Sequence, residues 1–258
     1  MTDDWTRAEL MTIAASRALT DDDVCFVGIG PPSAACNLAR LTHSPGVTLI
    51  YESGTLGTTP DVLPLSIGDG ILTDTSVVTV PVPEMFQYWL QGGHMTIGFL
   101  GAAQMDRYGN LNTTVIGDYA QPKVRLPGGG GAPEIATACQ EIFIIVTHRP
   151  RSLVDRLDFV TTLGHGLTGV ERRTLGITTA GPTRVFTDLC LMRPDPDDNE
   201  LQVTAIHPGV SRDDIVDATG WPVRFADHVE ETPAPSATEL AVLRELYRRS
   251  DEAHSTAV

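Results

Sequence analysis

A glutamate at the end of a predicted buried strand is the first residue in this chain that could do chemistry. Residues 47–51 are rich in strand formers, and Glu52 follows them directly, before Ser53 and Gly54. Open α/β sheets bind ligands beyond the carboxyl ends of their strands, so a carboxylate here is placed to act on a substrate. A carboxylate can attack an activated acyl group and form a covalent intermediate. The alternative is a solvated strand end, which is a common setting for glutamate.

Two glycine-containing segments are candidates for binding a substrate through backbone N–H groups. The first contains Gly101, Ala102 and Gln104, and its small residues leave the backbone open to a substrate carbonyl. The alternative there is a glycine that the end of a strand requires sterically. The second segment is the run of glycines at 128–131, which precedes a predicted helix. Such a turn can bind an anion or only provide flexibility.

Gly28 and Gly30 form a third pattern, because they lie between a predicted strand and a predicted helix. With the acidic Glu52 about 20 residues further on, this spacing matches part of a dinucleotide-binding fingerprint. Two features oppose a nicotinamide cofactor. The third glycine position is Ser33, and the two prolines after Gly30 remove N–H donors from the turn that would hold a pyrophosphate. The other interpretation is that both glycines permit a tight turn.

The elements that must position these residues alternate between strands and helices. Continuous apolar strands separated by helices predict an α/β fold with a mostly parallel sheet covered by helices. Residues 101–134 have few apolar runs and predict a long irregular segment, and no linker divides the chain, so a single domain over residues 1–258 is expected. The predicted strands are residues 24–29, 47–51, 95–100, 142–147, 158–161, 184–187 and 201–206, and the predicted helices are residues 6–19, about 33–41, 84–90 and 238–249.

The composition of the chain excludes several classes of function. The sequence has 33 acidic and 18 basic residues, and its net charge of −15 repels nucleic acids and anionic membrane surfaces, so neither is expected as a partner. The four cysteines and seven histidines show no metal-ligand spacing, so no metal is expected. The sequence shows neither a signal peptide nor an apolar run long enough to span a membrane, which predicts a cytoplasmic location.

Four segments form a pattern that covers nearly the whole chain: residues 51–57, 99–112, 116–119 and 128–131. In order, spacing and sequence these segments resemble the β subunits of family I CoA-transferases, and most closely the glutaconate CoA-transferase type. The stretch 106–112 is the most specific part of the resemblance. The resemblance implies the NagB/RpiA-like CoA-transferase fold.

The resemblance also implies roles for individual residues. Glu52 would be the catalytic nucleophile, while Gly101, Ala102 and Gln104 would form the oxyanion or CoA-binding segment. Many family members have a second glycine where this chain has Ala102, so an N–H contact there requires a negative φ angle. The residues implied in substrate binding or in the loops of the site are Ser53, Gly54, Asp118, Gly129 and Gly130.

The activity implied by the resemblance is transfer of CoA from an acyl-CoA thioester to a free carboxylic acid through a glutamyl-CoA intermediate. The acid would be a dicarboxylate such as glutaconate, or a 3-oxoacid. CoA would be a substrate, with no tightly bound cofactor. An α subunit would complete the enzyme as an α2β2 tetramer or a larger assembly. Two alternatives stay open: a CoA-thioester hydrolase or decarboxylase of the same fold, and a non-catalytic ligand-binding module.

Overall fold

The computed structural model describes residues 5–255, and the chain divides into two compact units. Within the described residues, unit 1 consists of residues 5–99 and 234–255, and unit 2 consists of residues 100–233. The sequence predicts a single domain over residues 1–258, and this stays a prediction. Within residues 5–255, no helix combines the length and the apolar composition that crossing a membrane requires.

The described residues form short helices and strands that alternate along most of the chain. The helices are α1 (Arg7–Arg17), α2 (Pro31–Leu41), α3 (Gly70–Asp74), α4 (Val82–Glu84), α5 (Ala132–Ala138), α6 (Glu171–Thr174), α7 (Arg212–Ala218) and α8 (Ala237–Ser255), and a π-helical turn covers Met85–Leu90. The strands are β1 (Val24–Phe26), β2 (Thr48–Tyr51), β3 (Thr55–Leu56), β4 (Val78–Thr79), β5 (Ile97–Leu100), β6 (Gln104–Met105), β7 (Leu111–Asn112), β8 (Val115–Gly117), β9 (Pro122–Arg125), β10 (Glu141–Ile145), β11 (Gly181–Phe186), β12 (Cys190–Pro194), β13 (Leu201–Ile206) and β14 (Arg224–Glu231).

Parallel strands form the centre of the sheet in unit 1. Strand β1 pairs in parallel with both β2 and β5, and β3 and β4 add antiparallel strands at the edge next to β2. Helices α1, α2 and α8 share a buried cluster that includes Ile13, Leu38 and Leu243. Burial of these side chains packs the three helices against one another, because interiors are closely packed. Strand β2 is paired on both sides, with β1 and β3, so its end, which Glu52 follows, is an ordered position.

Unit 2 contains a second set of strands and two short hairpins. Strands β10 and β11 pair in parallel, β12 and β13 follow as antiparallel neighbours, and β14 pairs in parallel with β13. The hairpins are β6–β7 and β8–β9, and both lie in the segment 101–134 that the sequence predicts to be irregular. Alternating burial along β13 shows why this strand is recognisable from the sequence, since apolar residues occupy every second position.

Most of the predicted elements are confirmed, and one is wrong. The α/β fold with parallel central strands is confirmed, as are the helices at 6–19 and 238–249. Residues 158–161 form no strand, and the neighbouring Thr162 makes only an isolated bridge to Leu111. The physical reason is that side chains hold this backbone: the Asp158 carboxylate accepts hydrogen bonds from Gln104 and from the Gly117 N–H, both at 3.0 Å. The helix predicted at 84–90 is largely the π-helical turn.

A buried histidine network in unit 2 connects three of its elements. The ring nitrogens of His148 share hydrogen bonds with the hydroxyls of Thr187 at 3.1 Å and Thr219 at 2.9 Å. Burial lowers the pKa of His148 to about 4, while the charge of Asp188 opposes this shift and His207 adds to it. The imidazole is therefore neutral in the folded protein at pH values well below its usual pKa.

Replacing His148 with glutamine should flatten the dependence of stability on pH. The folded pKa of about 4 lies below the ordinary value of 6.5, so the unfolded chain binds a proton first as the pH falls. The free energy of unfolding of the wild type should therefore fall between about pH 6.5 and 4, by up to about 3 kcal/mol from this residue. Urea unfolding at several pH values measures this loss. His228→Gln replaces an exposed histidine as a control. If it flattened the pH dependence of the free energy of unfolding as much as His148→Gln, His148 would not be its source.

Candidate active site

The tight turn between β2 and β3 carries Glu52. The backbone N–H of Gly54 donates to the carbonyl of Tyr51 at 3.0 Å, which closes a four-residue β-turn with Glu52 at its second position. Strands β2 and β3 pair on either side of this turn, with Tyr51 opposite Thr55. The turn therefore holds the backbone of Glu52 from both sides, and the side chain is half-buried.

Gly54 locks the end of the same turn. Its φ angle is +99°, which L side chains rarely adopt, and a Cβ built on it would lie 2.0 Å from the carbonyl oxygen of Val80. The N–H of Val80 also donates to the carbonyl of Gly54 at 2.8 Å. Only glycine allows this close approach of two backbones. The predicted site residue Gly54 thus shapes the turn that presents Glu52.

Tyr51 anchors the other end of the turn to α2. Its side chain is fully buried, and its hydroxyl shares a hydrogen bond of 2.7 Å with Ser33 Oγ. Burial raises the pKa of Tyr51 above its usual value, so the phenol stays protonated. Ser33 occupies the third glycine position of the dinucleotide pattern and lies in the first turn of α2, which starts after Gly30 with a φ angle of +82°. These contacts support a structural turn rather than a nucleotide cradle.

The surroundings of the Glu52 carboxylate are short of partners. Within residues 5–255, no hydrogen bond or ion pair involves this carboxylate. The neighbouring hydroxyls of Ser53, Thr55 and Thr58 are buried, and none has a hydrogen-bond partner in the described part of the chain. Buried polar groups are nearly always satisfied in folded proteins, so groups left unpaired near a turn of this kind are suited to contacts with a ligand or partner.

Gly101 and Ala102, in unit 2, offer two consecutive backbone donors. Among the described residues, neither of their N–H groups has a hydrogen-bond acceptor, whereas the next one, at Ala103, donates to the Asn112 carbonyl at 3.1 Å. The only non-glycine residue with a positive φ angle in residues 5–255 is Asn199, so Ala102 meets the condition that the sequence set for an N–H contact. Adjacent backbone N–H groups without acceptors can form an oxyanion hole.

Gln104 is held in place by its neighbours. The side-chain amide nitrogen donates to Asp158 at 3.0 Å, and the side-chain oxygen accepts from the Asn112 amide at 2.7 Å. Only 7% of its surface is exposed. Because both ends of the amide have partners, these contacts give Gln104 a positioning role for the β6–β7 hairpin. Its predicted contact with CoA stays a prediction.

The remaining predicted loop residues are also tied to backbone groups. Asp118 is exposed and accepts from the N–H groups of Ala120 and Gln121, at 2.8 and 3.0 Å, so it stabilises its own turn. The segment with Gly129 and Gly130 is anchored at Gly128, whose N–H donates to the Thr113 carbonyl and whose carbonyl accepts from the Thr113 hydroxyl. Gly130 has a φ angle of +50°, and the segment leads into α5.

A network of hydrogen bonds gives the stretch 106–112 a structural role. The Asp106 carboxylate accepts from the backbone N–H groups of Tyr108 and Asn110, both at 3.0 Å. The Asn110 amide donates to Asp106 and to the Gly166 carbonyl, and its oxygen accepts from the Gly164 N–H. Burial raises the pKa of Asp106, and these donors oppose that shift. The most specific part of the sequence pattern therefore holds the loop together.

An open cleft in unit 2 contains residues that sequence reasoning missed. Its volume is about 590 Å³, and its lining includes Ala102, Gln104, Arg149 and Arg151. The available signal was a pair of arginines in a strongly acidic chain, but nothing local links residue 149 to residue 102. Within residues 5–255, no group of three or more His, Cys, Asp or Glu side chains is arranged to hold a metal ion.

Comparison with known proteins decides the family. Residues 8–218 match the sequence profile described as Coenzyme A transferase. The chain belongs to the coenzyme A transferase family. The β subunit of the 3-oxoadipate CoA-transferase of Pseudomonas knackmussii is 57% identical over 246 residues, which are 95% of each chain. Proteins of this family use CoA as a substrate, so the prediction of CoA as a substrate agrees with the family.

Two further relatives in the CoA-transferase family matter for the fold and the reaction. The β subunit of the glutaconate CoA-transferase of Acidaminococcus fermentans is 32% identical over 92% of this chain and 91% of that protein. The crystal structure of that glutaconate coenzyme A-transferase matches with a TM-score of 0.88 and 29% identity over 94% of this chain and 95% of that chain. The cholesterol ring-cleaving hydrolase IpdB subunit of Mycobacterium tuberculosis is 26% identical over 93% of each chain. The predictions of the family, the fold and the enzyme class are confirmed.

Proposed function

We propose that this chain is the glutamate-bearing subunit of a two-subunit CoA-transferase in which Glu52 carries first the acyl group and then CoA. The observation that supports this most is the state of Glu52. Its carboxylate has no partner within residues 5–255, and a turn closed at Tyr51 and locked at Gly54 presents it. A charged side chain held in this way breaks no contact when it turns towards a substrate, so it is available as a nucleophile.

In the proposed reaction, Glu52 first accepts the acyl group and then accepts CoA. A Glu52 carboxylate oxygen attacks the thioester carbonyl of an acyl-CoA, and the C–S bond breaks to give a glutamyl–acyl anhydride and CoA thiolate. The thiolate attacks the glutamyl carbonyl, which releases the acyl group as a carboxylate and leaves a glutamyl-CoA thioester. An acceptor carboxylate reverses both steps. The free energy of the thioester bond is conserved through both steps if water is excluded from these intermediates.

Gly101 and Ala102 are the candidate oxyanion donors of the proposed reaction, because their adjacent N–H groups have no acceptor within residues 5–255. Each such donor typically contributes about 3–4 kcal/mol to the transition state. A carboxylate is a weak nucleophile, so binding energy from the remote parts of CoA must drive the reacting carbonyl towards it. Gln104 and the hydrogen bonds of Asp106 would keep this donor segment in one conformation.

We infer a separate α subunit as the partner, in an α2β2 tetramer or a larger assembly. The relatives from Pseudomonas knackmussii and Acidaminococcus fermentans are each named as one subunit of a CoA-transferase. Exposed apolar side chains on unit 1 are consistent with a partner that covers them: Val77 is 85% exposed, and Val78 and Tyr88 are about half exposed. The acyl group would be a dicarboxylic or 3-oxo acid, since the 57% identical relative is named for 3-oxoadipate.

Hydrolysis is the second candidate function, because the IpdB relative is a ring-cleaving hydrolase. A hydrolase must deliver water to a carbonyl, whereas a transferase must exclude it and needs a carboxylate that accepts the acyl group. The two functions therefore differ in whether a covalent intermediate accumulates on Glu52.

Borohydride trapping of that intermediate tests the proposal. The chain is co-expressed with its partner, incubated with an acyl-CoA and treated with borohydride, which reduces a glutamyl thioester to an alcohol. The expected result is a peptide containing Glu52 in which one carbonyl oxygen is replaced by two hydrogens. The change should be absent in Glu52→Gln and present in Glu84→Gln, a control at an exposed glutamate. Consumption of the thioester without this modification would favour the hydrolase.

A further inference from the structure

The cleft in unit 2 has a basic and apolar lining. Its volume is about 590 Å³, and its walls include the apolar side chains of Ile116, Val124 and Val146. Arg149 and Arg151 are its charged residues, and no Asp or Glu side chain lines it. Acidic residues outnumber basic ones by 33 to 18 in this chain, so a cleft with two cations and no anion departs from the composition.

The side chains of both arginines are without partners in the described part of the chain. Within residues 5–255, neither Arg149 nor Arg151 makes a side-chain hydrogen bond or an ion pair, whereas Arg17 and Arg224 each pair with carboxylates. Arg149 is only partly exposed. A guanidinium presents several donors in a fixed fork that matches a carboxylate or phosphate, so two unpaired ones in a cleft are suited to an anion.

The cleft also contains one of the two candidate oxyanion donors. Ala102, whose N–H group has no acceptor in the described residues, is one of its lining residues. A ligand that matches this lining has a carbonyl oxygen for the Ala102 N–H, an apolar chain for the aliphatic side chains and an anionic group for the arginines. An acyl group that ends in a carboxylate has all three parts.

The length of the ligand distinguishes two sources of negative charge. The cleft has a volume of about 590 Å³, and Ala102 and both arginines line it. The distal carboxylate of a five- or six-carbon dicarboxylic acyl group lies roughly 5–6 Å from its thioester carbonyl, so both groups belong to one compact ligand. The first phosphate of CoA is about 13 bonds beyond the sulfur, or roughly 15 Å in an extended chain, which is more than twice as far.

We propose that Arg149 and Arg151 bind the distal carboxylate of a dicarboxylic acyl group and so select dicarboxylates over monocarboxylates. This inference rests on the proposed function, because it assigns the acyl end of the same reaction. The arginines act on specificity, since they bind a group remote from the reacting carbonyl. Removing one would leave the carboxylate with half of its charged donors.

The test compares two acceptors of equal length, glutarate and pentanoate, with one acyl-CoA donor. Arg149→Met and Arg151→Met are assayed in the complete two-subunit enzyme, and Arg156→Met, at an exposed residue of the same segment, removes the same charge outside the cleft. We expect kcat/KM for glutarate to fall by about 10- to 100-fold for each cleft variant, with pentanoate nearly unchanged. Arg156→Met should leave both values at the wild-type level.

Two results would overturn this assignment. An equal loss with both acceptors, together with a higher KM for the acyl-CoA, would mean that the arginines bind the phosphates of CoA. No change with either acceptor would mean that they bind no part of the substrate. Failure of the proposed function is distinguishable, because the wild-type complex would then give no borohydride-sensitive intermediate on Glu52. Calorimetric titration of the complex with glutarate adds a readout that needs no turnover, and we expect Arg149→Met to weaken the binding seen in the wild type by the same factor of about 10 to 100.

Discussion

Glu52→Gln should reduce CoA transfer by about four orders of magnitude or more. An amide lacks the charge that attacks the thioester, and the loss of a covalent nucleophile leaves only the catalysis that binding and backbone donors provide. The folded protein should be unaffected, because the Glu52 carboxylate makes no hydrogen bond or ion pair within residues 5–255. Transfer from an acyl-CoA to a carboxylate, followed by separation of the two thioesters, measures the rate.

Glu52→Asp gives a graded control for this result. The aspartate keeps the charge but moves it back by one methylene group, and a displacement of about 1 Å can cost about 100-fold in rate. The expected order is therefore wild type, then Asp, then Gln, with equal thermal unfolding for all three. Retention of more than about a tenth of the transfer rate by Glu52→Gln would show that another residue carries the acyl group.

Gly54→Ala should have the second largest effect on transfer, because it distorts the turn that presents Glu52 while leaving the Glu52 side chain itself unchanged. The new Cβ would lie 2.0 Å from the Val80 carbonyl oxygen, and the φ angle of +99° would strain any L side chain. The backbone must shift, and the hydrogen bond of 2.8 Å from Val80 to Gly54 is lost. We expect about 2–4 kcal/mol of destabilisation and a fall of at least about 100-fold in kcat.

Gly93→Ala separates strain from steric clash. Gly93 also has a positive φ angle, +78°, but a Cβ there would meet no atom within 4 Å. Its substitution should cost only about 1–2 kcal/mol and leave kcat unchanged. Thermal unfolding and the transfer assay on both variants provide the comparison. Similar kcat values for the two would mean that the Gly54–Val80 contact does not position Glu52.

Several predicted site residues have roles that hydrogen bonds across the chain decide. The sequence predicts Gln104 in the oxyanion or CoA-binding segment, and in the structure its amide joins Asp158 and Asn112. The sequence predicts Asp118 at the substrate or in a loop, and in the structure it caps its own turn. The identity of an amide or carboxylate does not reveal its partner, because a residue 54 positions away is adjacent only after folding.

The segment 158–161 shows the same limit for secondary structure. Its apolar residues match a strand, but a strand also needs a neighbour with free backbone groups. Here the Asp158 side chain occupies the Gly117 N–H, and the chain stays irregular apart from the bridge at Thr162. The strand predicted from the local sequence pattern is therefore absent, because hydrogen bonds to side chains take the place of backbone pairing between strands.

The sequence by itself determined the family, the α/β class and the candidate nucleophile. Strand formers before Glu52, the glycines after it and the stretch 106–112 are local features, and their order survives folding unchanged. Only the tertiary structure decided how Glu52 is held and which cations share a cleft with Ala102. The reason is physical: the Gly54–Val80 contact, the Ser33–Tyr51 hydrogen bond and the cleft lined by Arg149 and Arg151 join residues that are distant in sequence. Close packing fixes such contacts, and no spacing in the sequence records them.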